Sequence, residues 1–550
     1  MSQKAHFDVI IIGSGIAGTT LATILGRQGH DVLLLEKGKH PRFAIGEATL
    51  PLGSLLFWTL GQTYDVPELI HLSSVDSIHE HVTKVCGQKR TLGFVHHVAG
   101  QEQNLQHMEK TIPPDAPLIS ESHLYREHVD VYVLEAAKRY GVTYRDQTGV
   151  ADIAADADGV SVTTDGGETF TGRYLVDAAG YRSPVAQQFG LRDETPKLQV
   201  HSRSIFTHVT GLRPYDDVLP TGTLPELSRS MHHGTLHHVF DGGWVWVIPF
   251  GNHPGADSEI SSVGVMLDTR KFPPRDDLSA EEEFWSVIDQ YPGIAAHLKG
   301  IEPRRPWIRT GRVQYTSSAC VGPRWSMLSH ASAFVDPIFS QGLIMSIEVV
   351  RDLVPRLLSA LADDDFSEKR FAPLQALQNR QVAANDRMAI SAYHAMRSFT
   401  TWNAWLHVWI ANELFGFMAN MRYFFKFLAS GDKELLTAMS SENVLADDMQ
   451  ALAEFAETAL TRFSSGDVSA EDTAAAIYER LRGCDWLPHD LWGWGDPETR
   501  HLDLEPMERL GQLVMWGKTA APERMQSGMF DFPPPPMGPP PGGEPAADMA

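Results

Sequence analysis

Residues 8–18 read Asp8-Val9-Ile10-Ile11-Ile12-Gly13-Ser14-Gly15-Ile16-Ala17-Gly18. The β-branched run Val9 to Ile12 predicts a strand that stops at a glycine turn. Thr19 to Gln28 has helical composition, Gly29-His30 ends it, and Asp31 to Glu36 is a second apolar run. Strand, turn, helix and strand within about 30 residues make one βαβ crossover. In that setting Gly-x-Gly-x-x-Gly is a dinucleotide motif. Gly13 permits the tight turn, Gly15 lets the backbone approach a pyrophosphate, and Gly18 lets the helix pack on the strand. The turn, with Ser14 and Ala17, presents N–H groups and the positive end of a helix dipole to phosphates. Glu36, 18 residues past Gly18, is placed to accept hydrogen bonds from a ribose diol. The motif alone does not separate a flavin from a nicotinamide nucleotide.

Outward from this unit, strand-like runs lie at Val160 to Thr164, Arg173 to Asp177, Trp244 to Phe250 and Ser262 to Leu267. Helix-like stretches lie at Asp130 to Tyr140, Glu281 to Gln290 and Leu343 to Leu361, and the chain turns mainly helical from about residue 355 to about 525. The expected fold is α/β, a Rossmann-like nucleotide-binding module with a mixed β-sheet substrate region and an α-helical C-terminal extension. The expected domains are 1–355, 356–525 and a disordered proline-rich tail, 526–550, which contains Phe532-Pro533-Pro534-Pro535-Pro536.

Composition narrows the function. The chain has 550 residues, 43% hydrophobic and 21% charged, enough for a large buried core. Lys and Arg number 46 against 69 Asp and Glu, a net charge of −23, which argues against nucleic acid as a partner. The three cysteines, Cys86, Cys320 and Cys484, form no CxxC pair and read as reduced thiols. Met1 to Asp8 carries no basic region leading into a cleavable apolar stretch, and no run of about 20 uncharged apolar residues exists. The aromatic-rich stretch Trp402 to Leu428 is interrupted by His407, Glu413, Arg422 and Lys426, so it reads as a buried or groove-lining helix. A cytoplasmic protein with no membrane association is expected.

Three segments carry further chemistry. Val176-Asp177-Ala178-Ala179-Gly180 follows a strand-like run and is similar to the second flavin fingerprint of FAD-dependent monooxygenase-like folds. Arg126, at the start of a helix, resembles the arginine those proteins place near the flavin. No second strand-linked Gly-x-Gly-x-x-Gly is visible, so reduced flavin is expected from elsewhere. In Gly243-Trp244-Val245-Trp246-Val247-Ile248-Pro249 the two tryptophans, two apart on a strand, share one face. The pairs His232-His233 and His237-His238 lack a cysteine or carboxylate to complete a ligand set, so no metal is expected.

The Trp-x-Trp-x-Ile-Pro stretch resembles the signature of flavin-dependent halogenases, and the chain is most similar to the chlorinases of the pyrrolnitrin and chlortetracycline pathways. Matching segments include His40-Pro41-Arg42-Phe43, Gly46-Glu47-Ala48-Thr49, Gly87-Gln88-Lys89-Arg90 with Gly93-Phe94, Gly234-Thr235-Leu236-His237-His238, and Phe334-Val335-Asp336-Pro337 through Gly342. The resemblance runs from about residue 6 to at least 410, more loosely to about 520, and has definite implications. FAD is used as FADH2 with O2 and chloride or bromide, and hypohalous acid is made at the flavin. A separate NAD(P)H-dependent flavin reductase supplies the reduced cofactor, and a small aromatic substrate, free rather than carrier-bound, is halogenated in secondary metabolism. Arg42, Gly46, Glu47, Ala48, Arg126, Asp177 and Asp336 join the glycine turn and Glu36 as cofactor-binding residues. Trp244, Trp246 and Pro249 line a tunnel. The backbone N–H groups of Gln341 and Gly342 hold the halide. Lys89 is the essential lysine; Lys84 competes, but only Lys89 is followed five residues on by a phenylalanine, Phe94. As an ammonium it would polarise hypohalous acid; as an amine it could form a haloamine.

Two departures stand out. Tryptophan halogenases carry a glutamate where this chain has Phe339, which implies an electron-rich phenol or pyrrole. Ser329-His330 replaces a common Gly-Asp pair. His96, His97 and His208 all remain open as a base toward a phenol. The competing enzyme reading is a single-component FAD-dependent aromatic monooxygenase; a non-catalytic flavoprotein is the third.

Overall fold

The computed structural model describes residues 6–113, 119–219, 229–439, 443–503 and 507–533. Two compact units form: residues 1–108 with 115–390, and residues 109–114 with 391–550.

The first unit is built on two sheets. In one, the order is Val321–Gly322, Trp325–Met327, Thr169–Asp177, His6–Ile12, Val32–Leu35 and Thr143–Arg145; the hairpin Val150–Ala155 and Val160–Thr164 adds to Thr169–Asp177. The central pairs are parallel, with Ile10 opposite Leu33 and Leu175. Helices on an α/β sheet bury central strands on both faces, so these strands read as unbroken apolar runs. Ile10, Ile11, Leu33 and Leu34 are fully buried, and truncating any of them to Ala would cost about 2–5 kcal/mol. The helix Ile16–Arg27 follows the first strand directly. The turn between them requires glycine: Gly13 has φ +98°, and a Cβ there would lie 2.7 Å from the Ala178 carbonyl. Gly18 is as tight, with a Cβ position 2.1 Å from Gly13 O.

The second sheet runs Glu302–Pro303, Ser202–Thr210, Ser261–Asp268, Gly243–Pro249, Thr235–Phe240 and Leu92–His97. Within the first unit its pairings are antiparallel except where Leu92–His97 runs parallel to Thr235–Phe240. One face packs on Phe284, Ile288 and Leu298. A two-strand ribbon, Gly87–Gln88 with Ser122–His123, stands apart.

The second unit is mainly helical, with Phe399–Ser430, Ala446–Ser464, Ala470–Arg482 and Met507–Thr519. The aromatic-rich helix Phe399–Ser430 buries Trp402, Trp405, Trp409 and Phe415. Among the described residues no helix is long and apolar enough to cross a membrane. The helical region expected from 356 begins inside Gln341–Asp363. Of the stretch from 526, Glu523–Gly528 is helical and Phe530 and Phe532 are buried; the residues after 533, with most of the expected proline-rich tail, lie outside the described residues.

Candidate active site

A cavity of about 370 Å³ opens between the glycine turn and the second sheet of the first unit. Gly15, Ala17, Arg42, Gly46, Glu47, Ala48, Arg126, Trp244, Trp246 and Gly342 line it, so ten of the residues singled out in the sequence meet in one place. Gly15 is the N-cap of Ile16–Arg27 and makes no side-chain cap bond, leaving that helix end open to the cavity.

Charge is arranged around this opening. Glu36 accepts from the backbone N–H and hydroxyl of Ser14 at 3.0 and 2.8 Å, and from Gly38 N–H at 2.8 Å. Burial by itself would raise its carboxyl; Arg42, 3.6 Å away, and these donors outweigh burial and hold it below the usual carboxylate range. Arg42 keeps a buried, unpartnered Nε in the cavity wall. Arg126 grips Asp130 with two bonds of 2.7 and 3.0 Å and donates to the carbonyls of Ile45 and Gly46, so it shapes the 45–48 segment as well as the cavity. Glu47 Oε1 accepts from His208 Nε2 at 2.7 Å, both groups buried.

The tryptophan pair forms part of the wall, with ring centroids 5.8 Å apart. Trp246 Nε1 donates to Ser262 Oγ at 3.1 Å, whereas the Trp244 N–H is buried without a partner. Room for Trp246 depends on Gly264 across the ladder, where a Cβ would lie 2.2 Å from the indole. His237 completes this wall, stacked on Phe94 at 4.8 Å; burial first, and Lys89 as well, push its imidazole down to about 3.

Some expected residues stand outside the lining. Asp177 is fully buried and accepts from Ala179 N–H, Ser183 Oγ and Val185 N–H; it shapes the turn, and the backbone it positions, Ala178 to Gly180, lines the cavity instead. Asp336 accepts from Ser202 Oγ at 2.6 Å and Ile338 N–H at 3.1 Å, while its neighbour Pro337 lines the cavity. Pro249 accepts from His123 Nδ1. Gln341 opens the helix Gln341–Asp363 beside the lining residues Ser340 and Gly342. Phe339 and Ser340, just before it, hold φ of +61° and +57°. His330 lines the cavity too; burial and then the Arg126 charge push it down to about 4.

Lys89 is 1% exposed. Its Nζ donates to Thr49 O at 2.5 Å and lies 2.6 Å from Glu121 Oε2. Thr49 follows Ala48 of the cavity lining, and Ala48 bridges to His123. The rival Lys84 is exposed. Glu121 was not legible as a site residue: it lies 32 positions from Lys89, in a segment without a motif. Of the three histidines left open, His208 meets Glu47 at the cavity, whereas His97 bonds His238 Nδ1 at 2.9 Å.

A glycine turn closed by parallel strands, an open helix end and two arginines at a cavity wall define a Rossmann-like flavoprotein. An NAD(P)-binding Rossmann-like domain profile matches residues 11–70, and a tryptophan halogenase profile matches residues 91–457. The chain is 37% identical to monodechloroaminopyrrolnitrin halogenase PrnC of Pseudomonas fluorescens, over 96% of this chain and 94% of that enzyme. It is 36% identical to tetracycline 7-halogenase of Kitasatospora aureofaciens, over 93% and 92%. The crystal structure of halogenase PltM with phloroglucinol and FAD superposes with a TM-score of 0.85 at 30% identity, covering 90% of this chain and 99% of that one. The chain belongs to the flavin-dependent halogenases of the tryptophan halogenase family, and it is an enzyme that uses FAD. The residues present fit that cofactor: the open helix end, the side-chain-free approach at Gly15 and the side chains of Arg42 and Arg126 line one cavity.

Proposed function

We propose that the enzyme is an FADH2-dependent chlorinase of a free, electron-rich aromatic, a phenol or pyrrole, with Lys89 directing hypohalous acid to the ring. The observation that carries this reading is Lys89 itself, a fully buried lysine outside the cavity lining whose Nζ donates to the carbonyl of Thr49, the residue after the lining residue Ala48, and whose charge acts on His237 of the wall. When bound, reduced FAD would supply two electrons that activate O2, and O2 would be the oxidant that takes halide to hypohalous acid. The glycine turn, Glu36, Arg42 and Arg126 hold the cofactor. The first N–H groups of Gln341–Asp363, at Gln341 and Gly342, cradle the halide, since a helix start preceded by left-handed residues makes an anion nest. Trp244 and Trp246 keep organic substrate from the cofactor side.

Phe339, 1% exposed and 5.9 Å from Phe94, offers no carboxylate, which favours a ring that reacts readily. PltM binds phloroglucinol, a trihydroxybenzene, and the names of the other two relatives specify a pyrrolnitrin precursor and tetracycline. The reduced flavin comes from a separate NAD(P)H-dependent reductase.

The test supplies reductase, NADH, FAD and NaCl or NaBr with a panel of phenols and pyrroles, and reads products by mass for the halogen isotope pattern. Chlorinated product is expected; hydroxylated product alone would favour the monooxygenase. Lys89→Ala is expected to lower halogenation by at least ~10²-fold, the scale for losing one transition-state donor, with FAD binding intact. Near-normal turnover would remove Lys89 from the mechanism.

A further inference from the structure

Lys89 does not stand alone. The ribbon pairs Gly87 with His123 and Gln88 with Ser122, so the next cross-strand pair is Lys89 with Glu121. Lys89 N–H donates to Glu121 O at 3.2 Å, and residues directly opposite on a ribbon present their side chains to the same face. Hence Nζ meets Glu121 Oε2 at 2.6 Å, with side chains 0% and 5% exposed. The second acceptor is Thr49 O, held in place because Thr49 N–H itself donates to Ser122 O.

We propose that Glu121 is a positioning residue for halogenation: it holds Lys89 as an ammonium and aims it. This rests on the assignment of Lys89 above. An ammonium has three donors. Thr49 O accepts from one of them, and Glu121 Oε2 meets the group as a charge 2.6 Å away, without a hydrogen bond of normal geometry. The other titratable groups facing Lys89 carry no charge to share the space. His123 is committed at Nδ1 to Pro249 O and at Nε2 to Thr235 Oγ1, and burial, together with the Lys89 charge, pushes it down to about 3. His237 is held neutral in the same way. Glu121 is therefore the charge that meets the ammonium, and an opposite charge at this distance favours the ionised lysine. A buried pair is a poor device for stability, because desolvation offsets most of its attraction. Its presence beside the cavity wall points to a role in the reaction.

The experiment uses the full chain with FAD, reductase, halide and an aromatic it turns over. Product formation is followed from about pH 6 to 9, and hypohalous acid is trapped separately with taurine. In Glu121→Gln the ammonium loses its counter-charge, so burial drives it toward the amine. Halogenation is expected to stay within a few-fold of wild type at the acid end. Its alkaline limb should fall by at least one pH unit, with more than tenfold loss by pH 8, while trapped hypohalous acid is unchanged. Glu121→Asp, which keeps the charge at a greater distance, shifts the limb less and carries the test if the amide variant fails to fold. A pH profile of unchanged shape in either foldable variant overturns the proposal, as does a gain of activity at neutral pH in Glu121→Gln. If Lys89→Ala halogenates normally, the failure lies in the lysine assignment, and this proposal falls with it; a dead Lys89→Ala beside an unshifted Glu121→Gln fails Glu121 alone.

Discussion

An ammonium sealed against a carboxylate leaves a traceable imbalance when one partner is removed. In Lys89→Met the buried Glu121 keeps its desolvation and loses the lysine that lowers its pKa; burial already raises it even in the pair. Breaking such a pair costs about 3–5 kcal/mol if the remaining group stays charged. Glu121 would take a proton instead, so its folded-state value rises further above the unfolded one. Stability attached to a raised carboxyl is present at low pH and lost as pH climbs through the folded value. Urea unfolding is therefore expected to show a larger Lys89→Met penalty at pH 8 than at pH 5; a penalty independent of pH would contradict the ion pair. Gly342 carries a second prediction at this scale. A Cβ there would lie 3.1 Å from His330 Cε1 and Nε2, so Gly342→Ala crowds the helix start assigned to the halide. The apparent KM for chloride should rise several-fold with FAD affinity little changed, and a titration of rate against chloride decides it.

At the scale of elements, what the sequence discloses is what is local. The glycine turn was legible because six consecutive residues carry its geometry, and the tryptophan pair because a strand repeats every two residues. Asp177, expected as a cofactor contact from its fingerprint, also accepts from three donors of its own turn, which the fingerprint did not disclose. The Lys89–Glu121 pair was invisible because it depends on two ribbon strands pairing across more than 30 residues. His237 and His238 illustrate both cases. Alternation on one strand separates them: His237 reaches the cavity, while His238 joins His97 and His297 in a chain with bonds of 2.9 Å at each step, ending at Arg213 O at 3.2 Å. Such a chain needs neutral rings, each donating once and accepting once. Burial holds all three below the usual imidazole value, His297 at about 3. Unfolded histidines bind protons below about pH 6.5 and these do not, so stability is full above that value and is lost as pH falls toward 3. Each ring contributes up to ~1.4 kcal/mol per pH unit in that window. The urea midpoint should drop between pH 7 and pH 5, and less steeply in His238→Met; equal slopes would remove the relay from the account. On the neighbouring strand, Gly264→Ala forces a methyl against Trp246 and should cost about 1–3 kcal/mol by overpacking.

For the whole molecule, the question is where the electrons enter. The first unit devotes its parallel sheet and glycine turn to one cavity, lined by Arg42 and Arg126. In the second unit the described strands amount to one short pairing of His501–Asp503 with residues 110–112, and its other described elements are helices. Among the described residues the second unit shows no second crossover of strand, turn and helix. The proposed reading has reduced flavin delivered from elsewhere, whereas a single-component hydroxylase would take hydride from NADPH itself. The enzyme with FAD, O2, chloride and its aromatic should consume NADPH no faster than FAD alone in buffer. Adding a flavin reductase, or photochemically reduced FAD in its place, should start halogenation, at a rate that follows the supply of reduced flavin until the chain saturates. NADPH consumption by the chain alone, stimulated by the aromatic, would instead assign the cavity to direct oxygenation.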